Sequence, residues 1–256
     1  MFKPDFTKTA NGSVAKLNML NTNPLGYVML SVLAGAFIGV GVLLAFTIGG
    51  LMAGAPSTKV IMGLSFGVAL SLVVMAGAEL FTGNNMAMAM GMLEKKVTFA
   101  DTIKLWVICW LGNLAGGIIL GIIYHCTGLG VEAVGTFMAT AAAGKMGAGP
   151  LALLTRGMLC NFLVCLAVWC AGRATSDAGK LLMVFWCLFA FITTGFEHSV
   201  ANMTLFTVAI LEPMDQAVSV GGAFYNLGLV TLGNIIGGAI MVAVPYHLAS
   251  RKDSIE

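Results

Sequence analysis

The 256-residue chain carries 13 Lys and Arg against 11 Asp and Glu, so that 9% of it is charged and the net charge is +2. Hydrophobic residues make up 59% and the mean hydropathy is +0.95, far outside the range of soluble domains. Such a composition leaves little sequence for a globular domain, and with no basic cluster it excludes a nucleic-acid partner. A protein of many membrane spans remains.

Residues 1–24 are polar and mildly basic, and 5–19 form a candidate interfacial helix with Phe6, Val14 and Leu17 on it and Leu20 just beyond. Lys3, Lys8 and Lys16 precede no short apolar run with a cleavage site, so no signal peptide is expected. Asn23-Pro24 starts a helix, with Pro where its missing N–H costs nothing. Span one, 25–50, is longer than the roughly 20 residues that cross a bilayer. Span two starts near Val60 and runs to Ala78, where Glu79-Leu80-Phe81-Thr82-Gly83-Asn84-Asn85 interrupts it before a short apolar half, 86–93. Span three covers 105–124, and 125–149 is a Gly- and Ala-rich connection. Span four runs from Pro150 to Ala171 and span five from Leu181 to Phe196, where Glu197-His198-Ser199 interrupts it before a second short half ending at Leu211. Span six, 220–246, leads into a short polar tail, 247–256. The chain is thus expected to be one transmembrane domain, with halves at 25–124 and 150–246.

The halves repeat. Glu79 and Glu197 stand 118 residues apart, while Asn113 and Asn234, each in Leu-Gly-Asn-(Leu/Ile)-x-Gly-Gly, stand 121 apart. Three spans per half is an odd number, so the second half must be inverted. Interrupted apolar segments at matching places in two inverted halves point to a transport site near the midplane. Lys3, Lys8, Lys16, Arg251 and Lys252 at the termini, with Lys95, Lys96, Lys104, Arg173 and Lys180 after spans two and four, oppose only Lys59 and Lys145, Arg156 being set aside. Both termini are therefore expected in the cytoplasm of a cell with this chain in its inner membrane.

Polar groups at membrane depth are costly, and each needs a reason. Glu79 and Glu197 stand where helices should restart, and capping the free N–H groups there is their expected role, with direct ion handling as the alternative. The Thr82 hydroxyl is placed to point into a path, with Ser199 as its weaker counterpart. His198 is harder to read as a core histidine, because it stands in an interruption and its unperturbed pKa lies near 6.5. Asn161 of span four is a candidate hydrogen-bond partner that would fix its tautomer. The six cysteines form no C-x-x-C pair and read as apolar packing residues, so no metal or cofactor is expected. Glycines spaced Gly112/Gly116 or Gly233/Gly237 read as close helix packing.

Glu-Leu-Phe-Thr-Gly at 79–83, Gly-Met-Leu-Cys-Asn-Phe-Leu-Val-Cys-Leu-Ala-Val-Trp at 157–169 and Phe-Glu-His-Ser-Val-Ala-Asn-Met at 196–203 resemble the formate/nitrite transporter family over nearly the whole chain. The resemblance implies an aquaporin-like fold of six helices, the second and fifth broken, assembled as a homopentamer in the bilayer. It implies one pore per protomer for small monovalent anions: formate, nitrite, hydrosulfide, in some members acetate or lactate. The family's central histidine falls on His198, its asparagine on Asn161 and its threonine on Thr82. Its apolar constrictions fall on Phe66, Leu70, Leu80, Val164 and Phe191, and its vestibule lysines on Lys145 and, by a looser match, Lys16. Asn-Pro-Leu-Gly at 23–26 and Glu-His-Ser-Val-Ala-Asn-Met-Thr-Leu-Phe at 197–206 are more like the nitrite branch than the formate branch, with hydrosulfide channels similar too. In such a pore lysines would concentrate anions, and His198 would give charge or a proton where a bare anion is costly. Two rival readings differ in class. An aquaporin-type channel for neutral solutes would carry Asn-Pro-Ala at both interruptions. A membrane-embedded enzyme would need more than His198 beside Glu197.

Overall fold

The computed structural model describes residues 2–251, and among these there are helices and no strand. Helix α1 (Lys3–Thr22) is followed by α2 (Pro24–Leu51), whose Asn23 cap accepts the Gly26 N–H at 3.0 Å. Next come α3 (Thr58–Ser65) and α4 (Gly67–Leu72), continued by a π-helical turn at Val73–Gly77, then α5 (Phe81–Leu93), α6 (Phe99–Cys126) and α7 (Glu132–Met146). The second half holds α8 (Pro150–Arg173), α9 (Asp177–Thr194), α10 (Ser199–Leu211), α11 (Val220–Ile235), a π-helical stretch at Ile236–Ala243 and α12 (Val244–Ser250). Among the described residues six segments are long and apolar enough to cross a membrane: Pro24–Leu51, Thr58–Gly77, Phe99–Cys126, Pro150–Arg173, Asp177–Thr194 and Val220–Ser250.

These agree with the six apolar runs, and the differences have local causes. α6 begins at Phe99 because Thr98 and Asp101 form a capping box: Thr98 Oγ1 accepts the Asp101 N–H at 3.1 Å and the Asp101 carboxylate accepts the Thr98 N–H at 3.1 Å. α9 begins at Asp177 because Ser176 Oγ accepts the Gly179 N–H at 3.1 Å. The connection at 125–149 contains α7, whose alanines favour helix strongly. α1 packs on the body with Phe6 and Ala10 buried. Arg173 reaches Asp5 at 3.0 Å, and Lys3 binds Glu94 at 2.5 Å, its ammonium holding that carboxyl below the ordinary carboxylate range. Lys252 of the orientation tally and the tail beyond Arg251 lie outside the described residues.

Bare backbone supplies the closest contacts. A Cβ on Gly116 would overlap the Val32 carbonyl oxygen, and one on Gly35 would overlap that of Asn113, so α2 and α6 touch through glycine. The second half repeats this where Gly233 faces the Leu154 carbonyl and Gly237 that of Met158, bringing α8 against α11 and the π stretch. Gly116→Ala is expected to destabilise the protein by about 1–3 kcal/mol, read as a lowered melting temperature in detergent. Gly12→Ala, with open space around the added methyl, should show no loss. Equal melting of the two variants would refute the close-packing argument.

Candidate functional site

Two interruptions carry the polar residues. In each, a glycine in the left-handed region ends the incoming helix: Gly77 at φ 81° and Gly195 at φ 83°. The chain then runs extended, with Ala78 at φ −153° and ψ 161°, until Leu80 and His198 serve as N-caps of α5 and α10. Such a segment orphans both N–H and C=O groups inside an apolar body, where each unmet group is costly.

Amides meet that need. Asn113 Oδ1 accepts the Phe81 N–H at 2.9 Å, and its Nδ2 donates to the carbonyls of Glu79 at 2.9 Å and Ser31 at 2.7 Å. Asn234 repeats the pattern: Oδ1 accepts the Ser199 N–H at 3.0 Å, and Nδ2 donates to Glu197 O at 3.0 Å and Gly157 O at 2.8 Å. The expected capping role of Glu79 and Glu197 is thereby corrected. A carboxylate only accepts, whereas the interruption needs a donor as well, and an amide is both.

The carboxylates face lysines instead. Glu79 Oε1 accepts from Lys16 Nζ at 2.6 Å and its Oε2 from Asn84 Nδ2 at 2.9 Å. Glu197 Oε1 accepts from Lys145 Nζ at 2.7 Å and its Oε2 from Asn202 Nδ2 at 2.7 Å, while Asn202 also donates to Asn226 Oδ1 at 2.9 Å.

His198 is buried and packs its ring on Phe191, centroids 6.0 Å apart and planes 22° from parallel. Its Nδ1 accepts the Ala201 N–H at 3.1 Å, so the neutral ring carries its proton on Nε2, which lies 3.0 Å from Thr82 Oγ1 and donates to it. Asn161 does not bond to His198, which corrects the expected tautomer contact. Its Nδ2 is directed at Thr82 O at 3.2 Å, Asn85 Oδ1 at 3.0 Å and Asn234 O at 2.6 Å, holding the backbone around the histidine. The tautomer is fixed by α10's own first turn, because its N-cap is the histidine.

Three cavities meet at this point. One of about 500 Å³ is lined by Lys16, Leu70, Leu80, Asn84, Asp177 and Lys180. Another, of about 190 Å³, is lined by Lys59, Lys145, Phe66, Phe191, His198 and Asn202. Between them lies a space of about 10 Å³, room for about one water, lined by Phe66, Leu70, Leu80, Val164, Phe191 and His198 with Ile38 and Leu188. Leu70 and Leu80 are shared with the larger cavity, and Phe66, Phe191 and His198 with the smaller. Thr82 is fully buried, lines none of the three, and its hydroxyl meets the imidazole rather than a path. The Ser199 hydroxyl is buried with no partner among the described residues.

Sequence reasoning gave no site role to Lys59, Asn84, Asn202 or Asn226. The Asn202 signal was present, since Asn84 and Asn202 keep the same 118-residue offset as the two glutamates.

The family model described as formate/nitrite transporter matches residues 5–248. The nitrite transporter NirC of Escherichia coli is 38% identical, over 98% of this chain and 94% of that one. Among solved structures, an FNT family ion channel superposes with a TM-score of 0.93 at 36% identity, covering 97% of this chain and 99% of its own. A pentameric formate channel with formate bound superposes with a TM-score of 0.78 at 30% identity, covering 88% and 96%. With a match of that extent in both sequence and fold, this multi-pass membrane protein belongs to the formate/nitrite transporter family.

Proposed function

We propose that the chain is a channel for small monovalent anions, nitrite or formate first and hydrosulfide in the same class, with His198 giving the passing anion charge or a proton. The observation that carries the reading is the one-water space between two lysine-bearing cavities, with His198 as its one titratable wall. In this reading the chain forms two inverted three-span halves with the second and fifth helices broken, assembles as a pentamer in an inner membrane, and keeps both termini in the cytoplasm. The glycine, glutamate and asparagine pairs that recur between the halves support the inversion.

A bare anion in an apolar neck loses hydration worth several kcal/mol. Lys16 and Lys145 line the cavities on either side of the neck, each offset by the glutamate it is paired with, and Lys59 beside Lys145 adds positive charge that draws anions to the smaller cavity. At rest the Ala201 N–H keeps the imidazole neutral, because a proton on Nδ1 would set two donors face to face. When an anion in the neck is there to balance it, the ring takes up a second proton from solvent on Nδ1 and gives up the Ala201 N–H bond. The anion then crosses beside the imidazolium, or leaves with that second proton as the neutral acid, and the ring returns to its resting form with Nε2 protonated toward Thr82. Leu70 and Leu80 on one side and Phe66 and Phe191 on the other keep water from crossing with it. Val164 closes the wall, and Asn161 holds the backbone behind it.

Purified protein in liposomes tests this with a panel of formate, nitrite, hydrosulfide and chloride across a pH range. Flux of the weak-acid anions, rising as pH falls, with chloride at least about tenfold slower, is expected from the energetics of a bare anion in an apolar neck. Chloride flux equal to formate, or turnover of a substrate without flux, would overturn the proposal.

A further inference from the structure

We propose that Asn113 and Asn234 are positioning residues that use the same three hydrogen bonds to set different properties of the pore: Asn113 its size limit, Asn234 its proton response. This rests on reading the central space as the permeation path. Each amide spans one residue, bonding the carbonyl before it and the N–H after it. Asn113 holds Glu79 O at 2.9 Å and Phe81 N at 2.9 Å, and so fixes Leu80. Asn234 holds Glu197 O at 3.0 Å and Ser199 N at 3.0 Å, and so fixes His198. The third bond ties each clamp to a neighbouring span, at Ser31 O in α2 and Gly157 O in α8.

That same neighbour also grips the segment directly. The Glu79 N–H donates to Leu30 O at 3.2 Å and the Glu197 N–H to Arg156 O at 3.3 Å. Both amides are fully buried, so no water substitutes for a lost bond without entering the interruption.

The two clamped residues differ in kind. Leu80 lines both the larger cavity and the central space, so moving it widens an apolar rim. His198 lines the central space and the smaller cavity, so moving it breaks the Nε2 contact with Thr82 at 3.0 Å. Symmetrical lesions should therefore give dissimilar phenotypes, an outcome that general loosening of the fold would not produce.

Asn→Asp variants keep the acceptor and drop the donations, and Asn→Leu variants drop all three bonds at similar volume. Flux of formate, acetate and propionate is measured in liposomes across a pH range, with melting and gel filtration alongside. Asn113→Asp and Asn113→Leu should raise propionate flux relative to formate about tenfold, as expected when a rim held by buried hydrogen bonds is freed. Their formate flux should keep the wild-type dependence on pH. Asn234→Asp and Asn234→Leu should slow formate flux about tenfold, on the same scale of lost buried bonds, and flatten its pH dependence with the size ratio unchanged.

The same phenotype from both positions, or no change from either in folded protein, overturns the proposal. His198→Phe in the same assay separates it from the site reading. Loss of pH response there without loss in the Asn234 variants defeats the clamp alone. Unchanged flux in His198→Phe defeats the site reading, while the Asn113 size ratio still tests the clamp.

Discussion

His198→Phe should slow anion flux in liposomes by about a hundredfold or more and remove its dependence on pH. Phe matches the imidazole in shape and can keep the stack on Phe191, so the lesion is chemical. It removes the Nε2–H that Thr82 accepts at 3.0 Å and the Nδ1 that caps Ala201 at 3.1 Å. A hydrogen bond to a charged group is worth about 1.5–3 kcal/mol, and the variant also loses the only titratable group lining the central space among the described residues. Together these make a hundredfold the conservative figure. Thr82→Val should slow flux by about tenfold, because it leaves the imidazole N–H without its acceptor in a buried site. The double variant should be no slower than His198→Phe alone, since two residues that act as a unit do not add. Wild-type flux in His198→Phe protein that still elutes as the wild-type protein does would sink the central role of the histidine.

The parts of this molecule that were legible in sequence are those where local chemistry contradicts its surroundings. A carboxylate at 79 and a carboxylate with an imidazole at 197 and 198, inside runs long enough to span a bilayer, mark both interruptions. Residues that agree with their surroundings carry no such signal. Phe66, Leu70, Leu80, Val164 and Phe191 are apolar among apolar residues, and only resemblance to a family singled them out before the cavities did.

The asparagines fall between these cases. Asn113 and Asn234 were visible as a repeat marker, but their role was not, because their partners lie 32 to 37 residues away along the chain or further. Capping was sought in the nearest acidic residue, following the rule for exposed helix starts. A buried interruption has a second requirement, a donor for its stranded carbonyl, and that decides for an amide brought from another span. Helix α7 was missed for a simpler reason. Its Ala and Gly content in residues 125–149 looked like a linker, and only the alanines of Glu132–Met146 counted.

Lys145→Ala should destabilise the protein more than Glu197→Gln, although both break the same ion pair at 2.7 Å. What decides the outcome is the group left behind. The Glu197 side chain is 3% exposed and the Lys145 side chain 22%. Without the lysine, a carboxylate stays buried with Asn202 as its remaining donor at 2.7 Å, and an uncompensated buried charge costs about 3–5 kcal/mol. Without the glutamate charge, the ammonium can turn on its flexible stem toward the cavity of about 190 Å³ that it already lines. Glutamine still offers Asn202 an acceptor, so that loss should be about 1–2 kcal/mol. The double variant should recover most of what Lys145→Ala loses, because no charge is left stranded. The matching pair, Lys16 and Glu79 at 2.6 Å, is looser, with side chains 28% and 11% exposed, and the gap between its two single variants should be narrower. Thermal and denaturant unfolding in detergent at neutral pH measures all of these. Equal losses from the two single variants at the Lys145–Glu197 pair would show that Glu197 reaches water without its lysine, and the argument from burial would fall.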